Sequence, residues 1–120
     1  MVGTVLVVDD QELVRAVVSR FLARNGYTVA AAGTGQQAVD ALNCHQPAMV
    51  IADAEMLTDD GVLVERLRAD SADVPLVLMA SSGPQTMANS VACLLKPFDV
   101  GQLLDTVVHL MGVPDYFVGN

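Results

Sequence analysis

Short aliphatic runs alternate along the chain with longer stretches whose apolar residues recur every three or four positions. "TVLVVDD" (residues 4–10) is β-branched and stopped by two acids, and reads as a strand. After it, Leu13, Val14, Val17, Val18, Phe21 and Leu22 fall along one helical face, with Asn25-Gly26 as the C-cap. "YTVAAA" (27–32) predicts a second strand, and "TGQQAVDALNCHQ" (34–46) a helix opened by a capping box from Thr34 to Gln37. "AMVIAD" (48–53) predicts a third strand, again stopped by an acid, and "DGVLVERLRAD" (60–70) a third helix. Pro75 introduces a fourth strand, "PLVLMAS", and "VACLL" (91–95) is a fifth. Asp99 then caps a last helix carrying Leu103, Leu104, Val107, Val108 and Met111.

Five strands that are apolar on both faces, each followed by a helix, predict an α/β domain with a doubly wound parallel sheet in the order 2-1-3-4-5. The interval 82–90, "SGPQTMANS", leaves room for about one helical turn once short loops are subtracted, so the fourth crossover helix is expected to be short or absent. The whole of residues 1–120 reads as one domain, with a core over about 4–111 and a tail over 112–120 whose Tyr116 and Phe117 either pack back or lead onward.

Composition narrows the function. The 120 residues are 52% hydrophobic but 4% aromatic, with no Trp, so the core is aliphatic. Fourteen acids against six bases give a net charge of −8, the wrong sign for gripping nucleic-acid phosphates or anionic membranes. No apolar run reaches membrane-spanning length, and the first strand-like run leaves no room for a signal peptide. Cys44 and Cys93 make no disulfide framework and are expected as reduced thiols in a cytoplasmic protein.

The one lysine of the chain, Lys96, stands at the end of the fifth strand rather than on a solvated helix face. In a parallel sheet all the carboxyl ends share one edge, where ligands bind at the topological switch point. That edge collects Asp9 and Asp10 from the first strand, Asp53 from the third, Ser81 and Ser82 from the fourth and Lys96 from the fifth. Clustered carboxylates repel, and a hard divalent cation such as Mg²⁺ relieves the repulsion while keeping several waters. With an ammonium on the opposite wall, such a site suits a phosphoryl group, held by a serine hydroxyl and open to attack by a carboxylate. Each residue alone has a plainer reading, Asp10 as an N-cap and Asp53 as a turn residue. Their convergence on one edge favours a site.

"VLVVDD", "IADAEMLTDDG" and "LLKPF" together resemble the receiver domain of two-component response regulators, over about Val5 to Met111. The resemblance implies a flavodoxin-like (βα)5 fold and a bacterial phosphorelay protein that is not an enzyme beyond its own phosphorylation and dephosphorylation. It implies that Asp53 accepts a phosphoryl group from the phosphohistidine of a sensor kinase or phosphotransfer protein. Asp10 and Asp53 would hold Mg²⁺ directly, Asp9 through water, and Glu55 through its backbone carbonyl. Lys96 would meet the phosphoryl group or pair with Asp53, and Ser81, with Ser82 as the alternative, would supply the switch hydroxyl. The implied output is a downstream protein or a fused domain, contacted by a monomer or a phosphorylation-dependent dimer. Departures from the family pattern are Leu57 in place of a proline, Cys93 where an aromatic residue is usual, and the short crossover over 82–90. The last two predict a switch carried by that loop.

Three other functions fit parts of the sequence. "GTGQQA" (Gly33, Gly35, Ala38) matches a dinucleotide-binding turn, but leaves Asp9, Asp10 and Lys96 without a role. A phosphatase with an aspartate nucleophile wants Asp-x-Asp on the first strand, where this chain has adjacent acids. A pseudo-receiver, interacting without phosphate, would not need Asp10, Asp53 and Lys96 together.

Overall fold

A computed structural model describes residues 3–59, 61–69, 74–81, 83 and 90–113. The chain alternates β1 (Thr4–Val8), α1 (Glu12–Arg24), β2 (Thr28–Ala32), α2 (Gly35–His45), β3 (Met49–Asp53), α3 (Ala54–Asp59), α4 (Gly61–Ala69), β4 (Leu76–Ala80), β5 (Ser90–Leu95) and α5 (Val100–Met111). All four strand pairings are parallel, in the order β2-β1-β3-β4-β5. The fold class expected from the alternation is therefore the one found.

Because successive strand residues point to opposite faces, β3 divides its side chains between two cores. Met49 and Ile51 join Val5, Val7, Val77 and Met79 beneath α1 and α5. Val50 and Ala52 join Leu6, Val8, Leu76 and Leu78 beneath α2, α3 and α4. Every residue of β3 and of β4 is buried. The edge strands β2 and β5 are half open, with Leu95 and Val91 exposed, so the expectation of strands buried on both faces holds only in the sheet's middle.

The caps explain where helices begin and end. Gly26, at φ +94°, closes α1, and the Tyr27 amide reaches back to the Leu22 carbonyl. At α2 the Gln37 amide donates to Thr34 Oγ1 at 3.1 Å, as expected, but Gln37 Oε1 accepts from the Gly33 amide, one residue earlier than a full capping box. Asp99 and Gln102 make the complete box at α5.

Two expectations need correction. The segment after β3, taken as a loop running to the helix at 60–70, turns at once into α3, whose Leu57 is buried. The apolar stripe of α1 is wider than its buried face: Val18 and Leu22 are buried, whereas Leu13 is 76% exposed and Val17 50%. Of the interval 82–90 expected to hold a short helix, Ser90 already belongs to β5; residues 82 and 84–89, with the alternative hydroxyl Ser82, and Tyr116 and Phe117 of the tail lie outside the described residues.

Candidate functional site

The chain passes from β1 to its edge neighbour β2, then crosses back to β3 on the other side of β1. A crevice opens there, beyond the carboxyl ends of β1 and β3. Asp9 follows β1 directly and Asp53 is the last residue of β3, so the parallel register delivers both to this crevice. Carboxylate oxygens of Asp9, Asp10 and Asp53 lie within 4.8 Å of one another. Asp9 is fully buried and Asp53 is 5% exposed, while Asp10 faces solvent.

Lys96 enters from the far strand. Its amide donates to the Ala80 carbonyl at 2.7 Å, which ties the end of β5 to the end of β4 and aims the side chain inward. Nζ then donates to Asp9 Oδ2 at 2.8 Å, to Asp53 Oδ1 at 3.2 Å and to Gln11 Oε1 at 3.4 Å. The peptide between Lys96 and Pro97 is cis. Burial works against the ammonium charge, but the hydrogen bonds and charges of Asp9 and then Asp53 outweigh it and hold the Lys96 pKa above its ordinary value. For Asp53 the balance goes the other way. Burial pushes its carboxyl up, the Asp9 charge adds to this, and the bond from Lys96 offsets only part.

The remaining polar groups are also placed. The Gln11 amide donates to Asp9 Oδ1 at 2.8 Å, and Gln11 is the N-cap of α1 without a side-chain cap bond. Asp10 therefore does not cap that helix, and its carboxylate points to the cluster instead. Asp53 does both jobs: the Met56 amide donates to its Oδ2 at 3.3 Å in the manner of a cap on α3. Glu55 lies with Asp10, Asp53, Met56 and Asp59 around a pocket of about 290 Å³. Ser81 stands just past β4, exposed, its hydroxyl donating to Glu55 Oε1 at 3.3 Å. The last position of β4 itself is the buried Ala80.

The donor set suits Mg²⁺. Oxygens on one Mg²⁺ are about 3 Å apart when adjacent and about 4 Å when opposite, given metal–oxygen bonds of about 2.1 Å. A cluster spanning up to 4.8 Å closes on the ion by small rotations, or with one carboxylate acting through water. All three ligands are hard anionic oxygens, and no softer donor is among them.

Sequence reasoning placed Asp9, Asp10, Asp53 and Lys96 together, and the fold does bring them together. It overlooked Gln11, which adjoins the acid pair and is bonded to both Asp9 and Lys96, and the Met56 amide, hidden because α3 was not expected. The "GTGQQA" turn lies at the end of the edge strand β2, where the Gly33 amide is already committed to Gln37. It does not form a dinucleotide cradle.

The site is thus a cluster of three aspartates and a bridging lysine at the switch point of a doubly wound parallel sheet. Residues 5–108 match the response regulator receiver domain, and the chain belongs to that family. It is 28% identical over 115 residues to the chemotaxis protein CheY of Bacillus subtilis, covering 89% of this chain and 96% of that one. It is 29% identical to the transcriptional regulatory protein PdtaR of Mycobacterium tuberculosis, covering 86% of this chain and 54% of the relative. The response regulator MprA of Mycolicibacterium vanbaalenii is 36% identical, over 83% of this chain and 46% of the relative. The chain thus spans about half the length of PdtaR and MprA. Among solved structures, a CheY-like receiver domain protein from Methanospirillum hungatei superposes with a TM-score of 0.79 at 26% identity, covering 93% of this chain and 96% of that one. NtrX from Brucella abortus superposes at 0.81 with 23% identity, over 92% of this chain and 26% of that one, a likeness of fold. No helix among the described residues is long and apolar enough to cross a membrane.

Proposed function

We propose that Asp53 is a phosphoacceptor, receiving a phosphoryl group from a phosphohistidine on a sensor kinase or phosphotransfer protein. A carboxylate oxygen of Asp53 attacks phosphorus, the P–O bond forms, and the N–P bond breaks. The imidazole leaves with the electron pair and takes up a proton. Asp10 and Asp53 would hold Mg²⁺ directly, with Asp9 through water and the Glu55 carbonyl as a further ligand. The ion, when bound, would neutralise charge shared by the carboxylates and the phosphoryl oxygens. Lys96 follows the charge: once Asp53 carries the acyl phosphate, Nζ transfers its bond to a phosphoryl oxygen while keeping Asp9. Ser81 Oγ, just past the end of β4, would take another oxygen, leaving Glu55 as it does so. The domain would then signal by a changed surface, to a separate protein or to a domain fused to it.

The observation that carries this reading is the bridge of Lys96 between buried Asp9 and buried Asp53, beside the exposed Asp10. An apolar groove of about 520 Å³ adjoins Lys96, walled by Leu13, Val14, Val17, Phe98 and Val100, and gives the phosphodonor a place to rest. Incubation with acetyl phosphate and Mg²⁺, followed by intact-mass spectrometry, should add one phosphoryl group to the wild type. Asp53→Asn should gain none, and EDTA should prevent the gain. An adduct of equal yield in Asp53→Asn would place the chemistry elsewhere, and none in the wild type with any phosphodonor would favour the pseudo-receiver.

A further inference from the structure

We infer that Arg15, seated against Gly33, is a positioning residue that sets the direction of Asp10, an inference that rests on the proposed metal site. Arg15 lies one turn into α1, and its Nη1 donates to the backbone carbonyl of Asp9 at 2.9 Å. With that bond every polar group of Asp9 is engaged. Its amide donates to the Ala32 carbonyl, its Oδ1 accepts from the Gln11 amide, and its Oδ2 accepts from Lys96.

The carbonyl bond matters for the next residue. The carbonyl of Asp9 and the Cα of Asp10 belong to one planar peptide unit, so holding the oxygen fixes the plane from which Asp10 departs. Asp10 is exposed, whereas Asp9 and Asp53 are buried. Of the three carboxylates, Asp10 is the one whose aim depends on its backbone.

Gly33 makes room for the guanidinium. A Cβ built on Gly33 would stand 2.5 Å from Arg15 Nη1 and 3.0 Å from Cζ, closer than atoms pack. The Gly33 backbone is not in the left-handed region, and the three atoms nearest to that Cβ all belong to the Arg15 guanidinium. Ala32, which pairs with Val8 and whose carbonyl accepts from the Asp9 amide, immediately precedes Gly33. The first glycine of "GTGQQA", left without a role once the dinucleotide reading failed, thus serves the acidic site across the sheet.

Groups that orient metal ligands from behind typically change metal affinity by about 10- to 100-fold when removed. Mg²⁺ titration followed by calorimetry, with acetyl phosphate turnover measured at varied Mg²⁺, tests the inference. Arg15→Ala should weaken Mg²⁺ about tenfold or more. The phosphorylation rate at saturating Mg²⁺ should stay near that of the wild type. Arg15→Lys, which keeps one donor, should recover part of the affinity. Gly33→Ala should weaken Mg²⁺ in the wild-type background but add nothing to Arg15→Ala, because the space is then empty. If Arg15→Ala and Gly33→Ala lower only the metal-free melting temperature and leave Mg²⁺ affinity unchanged, the residue is merely structural and the inference is overturned. Additive effects in the double variant overturn the role given to Gly33. A wild type that binds no Mg²⁺ would instead defeat the metal site itself.

Discussion

At the scale of single residues, Lys96 carries the heaviest electrostatic duty. Its ammonium sits between two carboxylates in a setting that hides Asp9 completely. Breaking a buried pair from one side leaves an uncompensated charge, at a cost of about 3 kcal/mol or more. Lys96→Met should therefore lower metal-free stability by about that amount, read from urea midpoints in EDTA. The sign with pH follows from the raised Lys96 pKa. The pair's contribution is whole below the ordinary value of 10.5 and disappears as pH climbs through the higher folded value. Tyr27 also loses stability in alkali, since burial raises its pKa above 10.0 and only the unfolded chain ionises there freely. The Lys96 effect is thus the difference between wild type and Lys96→Met, and this gap should close as pH rises above 10.5. A gap that is constant with pH would mean the ammonium is not what stabilises.

At the scale of elements, α1 has two apolar strips with different fates. Val18 and Leu22 are driven into the core under β1 and β3, while Leu13 and Val17 remain beside the groove that leads to Lys96. If Asp53 takes its phosphoryl group from another protein as proposed, these exposed aliphatics beside Lys96 are where that donor would dock. Leu13→Asp and Val17→Asp should cut transfer from a phosphorylated kinase or phosphotransfer protein by tenfold or more, yet leave phosphorylation by acetyl phosphate unchanged. Equal loss with both donors would make the strip structural. The sequence could not separate these strips, because periodicity reports which residues are apolar and not how much partner surface exists to cover them. The same limit hid α3. Six residues are too few for a recognisable period, and the two acids at 59 and 60 resemble a turn; packing of Ala54 and Leu57 against the core and the Asp53 carboxylate at its start hold that helix. By contrast the strand ends were legible, because acids abruptly end aliphatic runs at Asp9 and Asp53, and topology alone then places them together. The Arg15–Gly33 contact was not legible, since it depends on how closely α1 approaches the β2–α2 turn.

At the scale of the whole molecule, the acidic site and the acidic surface pull stability the same way. The chain carries a net charge of −8, and three of its carboxylates converge within 4.8 Å at one edge of the sheet. An ion that binds this cluster and not the unfolded chain stabilises the fold by about 2.7 kcal/mol at a hundredfold excess over its Kd. For a domain of this size that amounts to a rise of about 10 °C in melting temperature. Mg²⁺ also screens the general surface charge, and matched NaCl measures that part separately. Asp10→Asn would remove one proposed ligand and one negative charge, so the specific shift should vanish while the screening part survives. Its metal-free stability should change little, because Asp10 faces water and its repulsion is already damped. Thermal melts of both proteins in EDTA, in NaCl and in Mg²⁺ at equal ionic strength decide the matter. A Mg²⁺-specific shift that persists in Asp10→Asn would show that the ion binds away from the carboxylates at the switch point.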